Sequence, residues 1–109
     1  MAHFALIFRS TRSLTPDELP LRNAAARAWA LSLQARGALA HAHPLEETST
    51  VVTAAGNVAH RADVASVLVI EAEHFDAAVA LAAGHPGLQF GTEIEVRPVK
   101  SVAPAQQQK

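Results

Sequence analysis

The sequence predicts an α+β fold of ferredoxin-like order, β-α-β-β-α-β, with two helices on one face of a four-stranded antiparallel sheet. Three observations predict it. Short apolar runs of strand character open the chain at residues 4–9 and close it from Thr92 onward. Two segments with helical spacing separate further strand-like runs. The chain has 109 residues, half of them apolar, which is enough for one domain with one core.

Residues 4–9 form the first strand, with Phe4, Leu6 and Phe8 on one face and Ala5, Ile7 and Arg9 on the other. Thr15-Pro16-Asp17-Glu18 is a helix start. Thr15 is the cap, Pro16 fits the first helical position, and Glu18 stands where a capping-box acid belongs. Pro20 leaves a second option, a short first turn with the main helix beginning at Pro20 itself. The helix then runs to Arg36, with Trp29 and Leu33 at i, i+4, and Gly37 stops it. Residues 39–45 and 48–54 form two strands, with Glu46-Glu47 turning the chain between them. Residues 55–63, containing Gly56-Asn57, are a loop. Residues 65–72 are a dense apolar run and the expected central strand. Residues 74–83 form the second helix, with Phe75, Ala78, Val79 and Ala82 as its apolar stripe and Gly84 as its stop. The last strand carries Glu93, Glu95 and Arg97 on one face and Ile94 and Val96 on the other. Residues 1–100 are read as one domain and residues 101–109 as a polar, flexible tail.

A sheet with both helices on one side leaves its other face bare. Covering that face with a second copy predicts a symmetric homodimer, a dimeric α+β barrel with polar residues near the mouths of its interior. Formal net charge is −1, and no basic patch points to nucleic acid or to a membrane surface. Cysteine is absent, which excludes disulfides, thiolate catalysis and Cys-ligated metals. No apolar run approaches the ~20 residues of a bilayer-spanning helix. The first residues enter a strand directly rather than a cleavable leader, so a cytoplasmic location is expected.

Six residues are the candidates for chemistry. His41 and His43, two apart on a strand, point to the same side. They serve as an acid/base pair, as part of a polar interface, or, with a third ligand such as Glu95 or Glu71, as a metal site. No metal or cofactor is assigned, because a bare His-x-His is a weak signal. His85 is held between Gly84 and Pro86, either to cap the second helix or to act as a catalytic imidazole. Arg97, with Glu95 beside it, either grips a substrate oxyanion or forms an intersubunit salt bridge. Arg9 ends the first strand at the mouth of the barrel or at an exposed terminus. His60 and Asp63, three apart in the loop, are a further candidate dyad. There is no Gly-rich phosphate loop, no Gly-x-Ser-x-Gly and no His-Glu-x-x-His.

The strand-helix unit Val67-Leu-Val-Ile-Glu-Ala-Glu73 with Phe75-Asp-Ala-Ala78, then His85-Pro86 and Ile94-Glu-Val-Arg-Pro-Val99, resembles the YCII-related domain family over roughly residues 3–100. The resemblance implies a dimeric α+β barrel with an active-site cleft, and a histidine paired with a carboxylate in some members. One branch carries a Gly-Pro-Phe segment followed by an acid. The matching stretch here reads Gly56-Asn57-Val58-Ala59-His60-Arg61, without Pro or Phe. The expected function is a small dimeric enzyme doing His-mediated acid/base chemistry on a small, anionic organic substrate. The alternative is a non-catalytic dimeric module that binds a small molecule or regulates a partner.

Overall fold

The computed structural model describes residues 1–59 and 63–100. The expected tail from Ser101, and His60 of the His60–Asp63 pair, lie outside the described residues. Among the described residues the elements follow in order: β1 (Ala2–Ser10), α1 (Glu18–Ala35), β2 (Leu39–Pro44), β3 (Thr50–Thr53), β4 (Gly56–Ala59), β5 (Val64–Ala72), α2 (Phe75–Ala83), a 3-10 helix (Pro86–Phe90) and β6 (Thr92–Pro98). The main sheet has the order β2-β5-β1-β6 and is antiparallel throughout. With β3 and β4 set aside, this is the ferredoxin-like arrangement.

Register assigns the two faces. Phe4, Leu6 and Phe8 of β1 stand opposite Ile70, Leu68 and Ser66 of β5, and opposite Pro98, Val96 and Ile94 of β6. This face carries the core: Phe4, Leu6, Phe8, Leu68, Ile70 and Ala72 are buried together with Leu33 of α1 and Ala78 and Ala82 of α2. Leu6, Leu33 and Ile70 are wholly enclosed, each worth about 1.5–3 kcal/mol of transfer free energy.

The start of α1 settles the question raised by Pro20. Thr15 Oγ1 accepts from the Glu18 N–H at 3.2 Å, and Glu18 Oε1 accepts from the Thr15 N–H at 3.0 Å. This reciprocal capping box closes ahead of the helix, so Pro20 falls in the first turn, where its missing N–H has no helical partner to lose. Arg12 clamps the same carboxylate with two bonds of 3.0 Å. The other end is a Schellman motif. Gly37, at φ +72°, donates to Gln34 O, and Ala38 donates to Leu33 O.

Two expectations need correction. The run 48–54 is not a strand of the main sheet, and 55–63 is not all loop. Thr50–Thr53 pairs with Gly56–Ala59 in a separate hairpin that turns at Ala54-Ala55. Gly-Asn therefore belongs to the returning strand. Thr53 Oγ1 holds the turn by accepting from the Ala55 N–H and donating to Gly56 O. The second correction concerns α2. Its buried line is Ala78 and Ala82, flanked by Ala77 and Leu81, whereas Phe75 and Val79 remain substantially exposed. Alanines at the contact let the helix axis approach the sheet, and the larger side chains lie to the sides. His74, exposed at the start of this helix, caps it: its Nδ1 accepts from the Ala77 N–H at 3.0 Å.

Candidate functional site

α1 carries alanine at 24, 25, 26, 28 and 30. On the side that faces the sheet these short side chains cannot fill the space, and a cavity of about 340 Å³ remains between α1 and the strands. Ala26, Ala30 and Trp29 form its helix wall. Phe8, Ser66 and Leu68 form its floor, and His85 and Thr92 close one end. Arg22, Asn23 and Arg27 add polar groups from α1.

His85 is buried, at 7% exposure. Pro86 opens the 3-10 helix, and His85 caps it: Nδ1 accepts from the Gly87 N–H at 2.9 Å. The ring lies edge-on to Phe8 and Trp29, with centroids 4.8 and 4.7 Å away. Burial, and then the positive charge of Arg22, push the imidazole down to a pKa of about 4. At neutral pH it is therefore uncharged. A backbone N–H can only donate, so Nδ1 is the unprotonated nitrogen and Nε2 carries the hydrogen. Among the described residues no buried side-chain polar atom lacks a partner. Nε2, with no protein acceptor, therefore has access to the cavity.

Arg22 directs Nε to Asn23 Oδ1 at 2.9 Å. It also borders a wider polar cleft of about 600 Å³ that includes Ser10, Thr11, Arg12 and Asp63. Its guanidinium thus stands between the apolar cavity and a polar approach.

The other five candidates lie on the opposite face of the sheet. His41 and His43 stand beside Val69 and Val67 of β5, and those residues stand beside Ala5 and Ile7 of β1. Beyond these come Arg97 and Glu95 of β6. The two rings stack at 6.0 Å, and both residues are exposed. Arg9 bonds Glu95 at 2.6 Å, and Arg97 reaches the same carboxylate at 3.9 Å. One edge of the open face therefore carries two imidazoles, and the other carries an Arg-Glu-Arg cluster three strand spacings away, about 14 Å. The chain by itself brings Arg9, Glu95 and Arg97 together, and His41 with His43, but does not join the two sets. Neither set enters the cavity that holds His85. His41 borders a separate cleft of about 360 Å³ against the β2 edge, with Arg27 and Gln34 of α1. Among the described residues no group of three His, Asp or Glu is placed to hold a metal ion.

Sequence reasoning named His85 but not the residues around it. Phe8 was placed on one face of the first strand and Trp29 on the first helix, but neither they nor Arg22 and Asn23 were singled out for a site. The available signal was the alanine-rich face of α1, which leaves room where a bulkier residue would have packed.

No protein-family profile matches the chain, and no curated protein sequence matches it. Among solved structures it is similar to 5-chloro-2-hydroxyhydroquinone dehydrochlorinase (TftG) from Burkholderia phenoliruptrix AC1100, in complex with 2,5-dihydroxybenzoquinone. Identity is 23%, the match covers 91% of this chain and 95% of that one, and the TM-score is 0.57. The likeness is one of fold. No helix among the described residues is long and apolar enough to cross a membrane.

Proposed function

We propose that the chain is a small enzyme that binds a small anionic organic molecule between α1 and the sheet and acts on it with His85 as the acid, the hydrogen-bond and proton donor to the reacting oxygen. The observation that carries this reading is a buried histidine with one nitrogen open to an aromatic-walled cavity of about 340 Å³ and an arginine at the rim. The size and lining suit a single ring. Arg22 would hold the negative charge, and Trp29 and Phe8 would exclude water from the ring. The structural neighbour TftG, with its dihydroxyquinone ligand, supports a planar, oxygen-bearing molecule as the first to try. This reading is of a cytoplasmic enzyme without a cofactor, related to the YCII-like proteins.

The same proposal includes a homodimer formed through the open face. Such a dimer would bring His41 and His43 of one copy towards Glu95, Arg97 and Arg9 of the other, giving a second polar set that helps bind or turn over an anion. The alternative, a non-catalytic binding module, uses the same cavity without chemistry.

The test uses the single tryptophan, Trp29, as a fluorescent reporter of the cavity, in a chain without tyrosine. Wild type, H85Q and R22Q are titrated with 2,5-dihydroxybenzoquinone and a panel of hydroxyquinones and small carboxylic acids. Calorimetry checks binding, and absorbance follows turnover. Binding that weakens at least tenfold in both variants, with turnover lost in H85Q, supports the enzyme. Binding without turnover across the panel supports the module. If nothing on the panel binds wild type, the cavity reading is wrong. Turnover unchanged in both H41A and R97A would remove the open-face set from the chemistry.

A further inference from the structure

We infer that Gly87 is a positioning residue that holds His85 in its Nε2–H form, so that His85 meets the ligand as a neutral hydrogen-bond donor and, with Arg22, seats an oxygen anion. This rests on the cavity being a ligand site and specifies what that site recognises: a carboxylate, enolate or phenolate oxygen on a small organic molecule.

The argument starts from the backbone. Pro86 has no N–H to offer, so the first donor of the 3-10 helix is the N–H of Gly87, and it points at His85 Nδ1 from 2.9 Å. That bond occupies the lone pair of Nδ1 and requires the ring hydrogen to sit on Nε2. The arrangement also requires glycine at position 87. A Cβ there would lie 2.8 Å from both Cε1 and Nδ1 of His85 and 3.0 Å from Thr92 Oγ1. Those contacts are too close for the ring to stay where it is, wedged between Phe8 and Trp29. Any larger residue would push the imidazole or open the turn.

The consequence for recognition is one of sign. The charged side chains lining the cavity are Arg22 and Arg27 of α1, and the other polar groups come from Asn23, Ser66, His85 and Thr92. Among the described residues no carboxylate lines it, so none of these neighbours would favour an imidazolium. The ring therefore presents a proton and no lone pair to the cavity. A neutral imidazole donor beside an arginine stabilises negative charge on oxygen without first being charged itself. It does not begin a reaction by removing a proton at Nε2.

The tautomer can be read without any ligand, which separates this inference from the proposed function. Long-range ¹H–¹⁵N correlation spectra of uniformly ¹⁵N-labelled wild type at pH 7 should show His85 with a protonated Nε2 and a bare Nδ1. A protonated Nδ1, or averaging between the two forms, would overturn the inference. In G87A the pattern should change to an averaged or reversed one while His74, capped independently on α2, keeps its own. An unchanged His85 pattern in a folded G87A would also overturn the role of Gly87. For the anion, formate is titrated into wild type, with formamide and sodium chloride as controls. Formate alone should move the His85 Hε2 resonance, and G87A should weaken that binding roughly tenfold, the equivalent of one hydrogen bond. Equal shifts with formamide, or none with formate, would refute the oxyanion seat even if G87A does not fold.

Discussion

A histidine that is neutral inside a protein and charged outside it ties stability to pH in one direction. His85 has its pKa pushed from an ordinary 6.5 to about 4, first by burial and then by Arg22. Between these values the unfolded chain takes up a proton that the folded chain refuses. The contribution is complete above pH 6.5 and is lost as pH falls through 4, at most roughly 3 kcal/mol. Denaturant melts of wild type and H85Q at pH 7 and pH 4.5 should therefore converge on acidification, wild type losing more than the variant. Parallel losses would show that His85 carries no such load. R22Q gives the second prediction. It removes the smaller of the two causes, so the His85 imidazole should titrate closer to 6.5 by NMR yet stay below it, because burial remains.

Elements show why some of this structure was legible in the sequence and some was not. The capping box at Thr15 and Glu18 and the Schellman stop at Gly37 were readable, because each is a local bond pattern written within a few residues. The alternation in β1 and β6 was readable for the same reason. The β3–β4 hairpin was not. The strand within 48–54 was legible, but its exposed partner was not, because Gly56-Asn57 reads as a loop rather than as the start of a returning strand. The cavity was illegible because it is an absence: the alanines of α1 look like good helix formers, and only the sheet beneath them shows that space is left. His41 and His43 stood out by spacing, yet spacing places them on a face without saying what lies opposite. The capping box yields its own test. T15A should destabilise the fold by about 1 kcal/mol, read from denaturant melts, since it removes one of the two reciprocal bonds. Glu18, held to a pKa of about 2 chiefly by its hydrogen bonds from Arg12 and then by the Thr15 backbone, helps the fold above pH 4.5 and loses that help as pH falls through 2. An E18Q variant should therefore match wild type only at strongly acidic pH.

At the scale of the whole molecule, the sheet has one covered and one uncovered face, and the uncovered one is not polar at its centre. Ala5, Ile7, Val67 and Val69 run down the middle, with imidazoles along the β2 edge and Glu93, Glu95 and Arg97 along the β6 edge. A twofold axis parallel to the strands would lay the β2 edge of one copy over the β6 edge of the other. The register then sets His43 level with the partner's Glu95 and closes the apolar strip on itself. The same axis would set His41 level with the partner's Arg97, so the edges would pair imidazole with carboxylate at one level and imidazole with guanidinium at the next. Wild type should sediment as a dimer. V69K, a charge at the centre of the strip, should raise the dimer dissociation constant roughly a hundredfold or more while the circular dichroism stays unchanged. A wild type that stays monomeric at every concentration would rule the dimer out. The same variant also separates the two candidate sites, because the cavity lies on the covered face. In monomeric V69K, ligand binding that depends on His85 should survive within about twofold, whereas any contribution from His41, His43 or Arg97 should vanish. Loss of both together would mean that the cavity takes its shape from the dimer and that the two faces of the sheet work as one site.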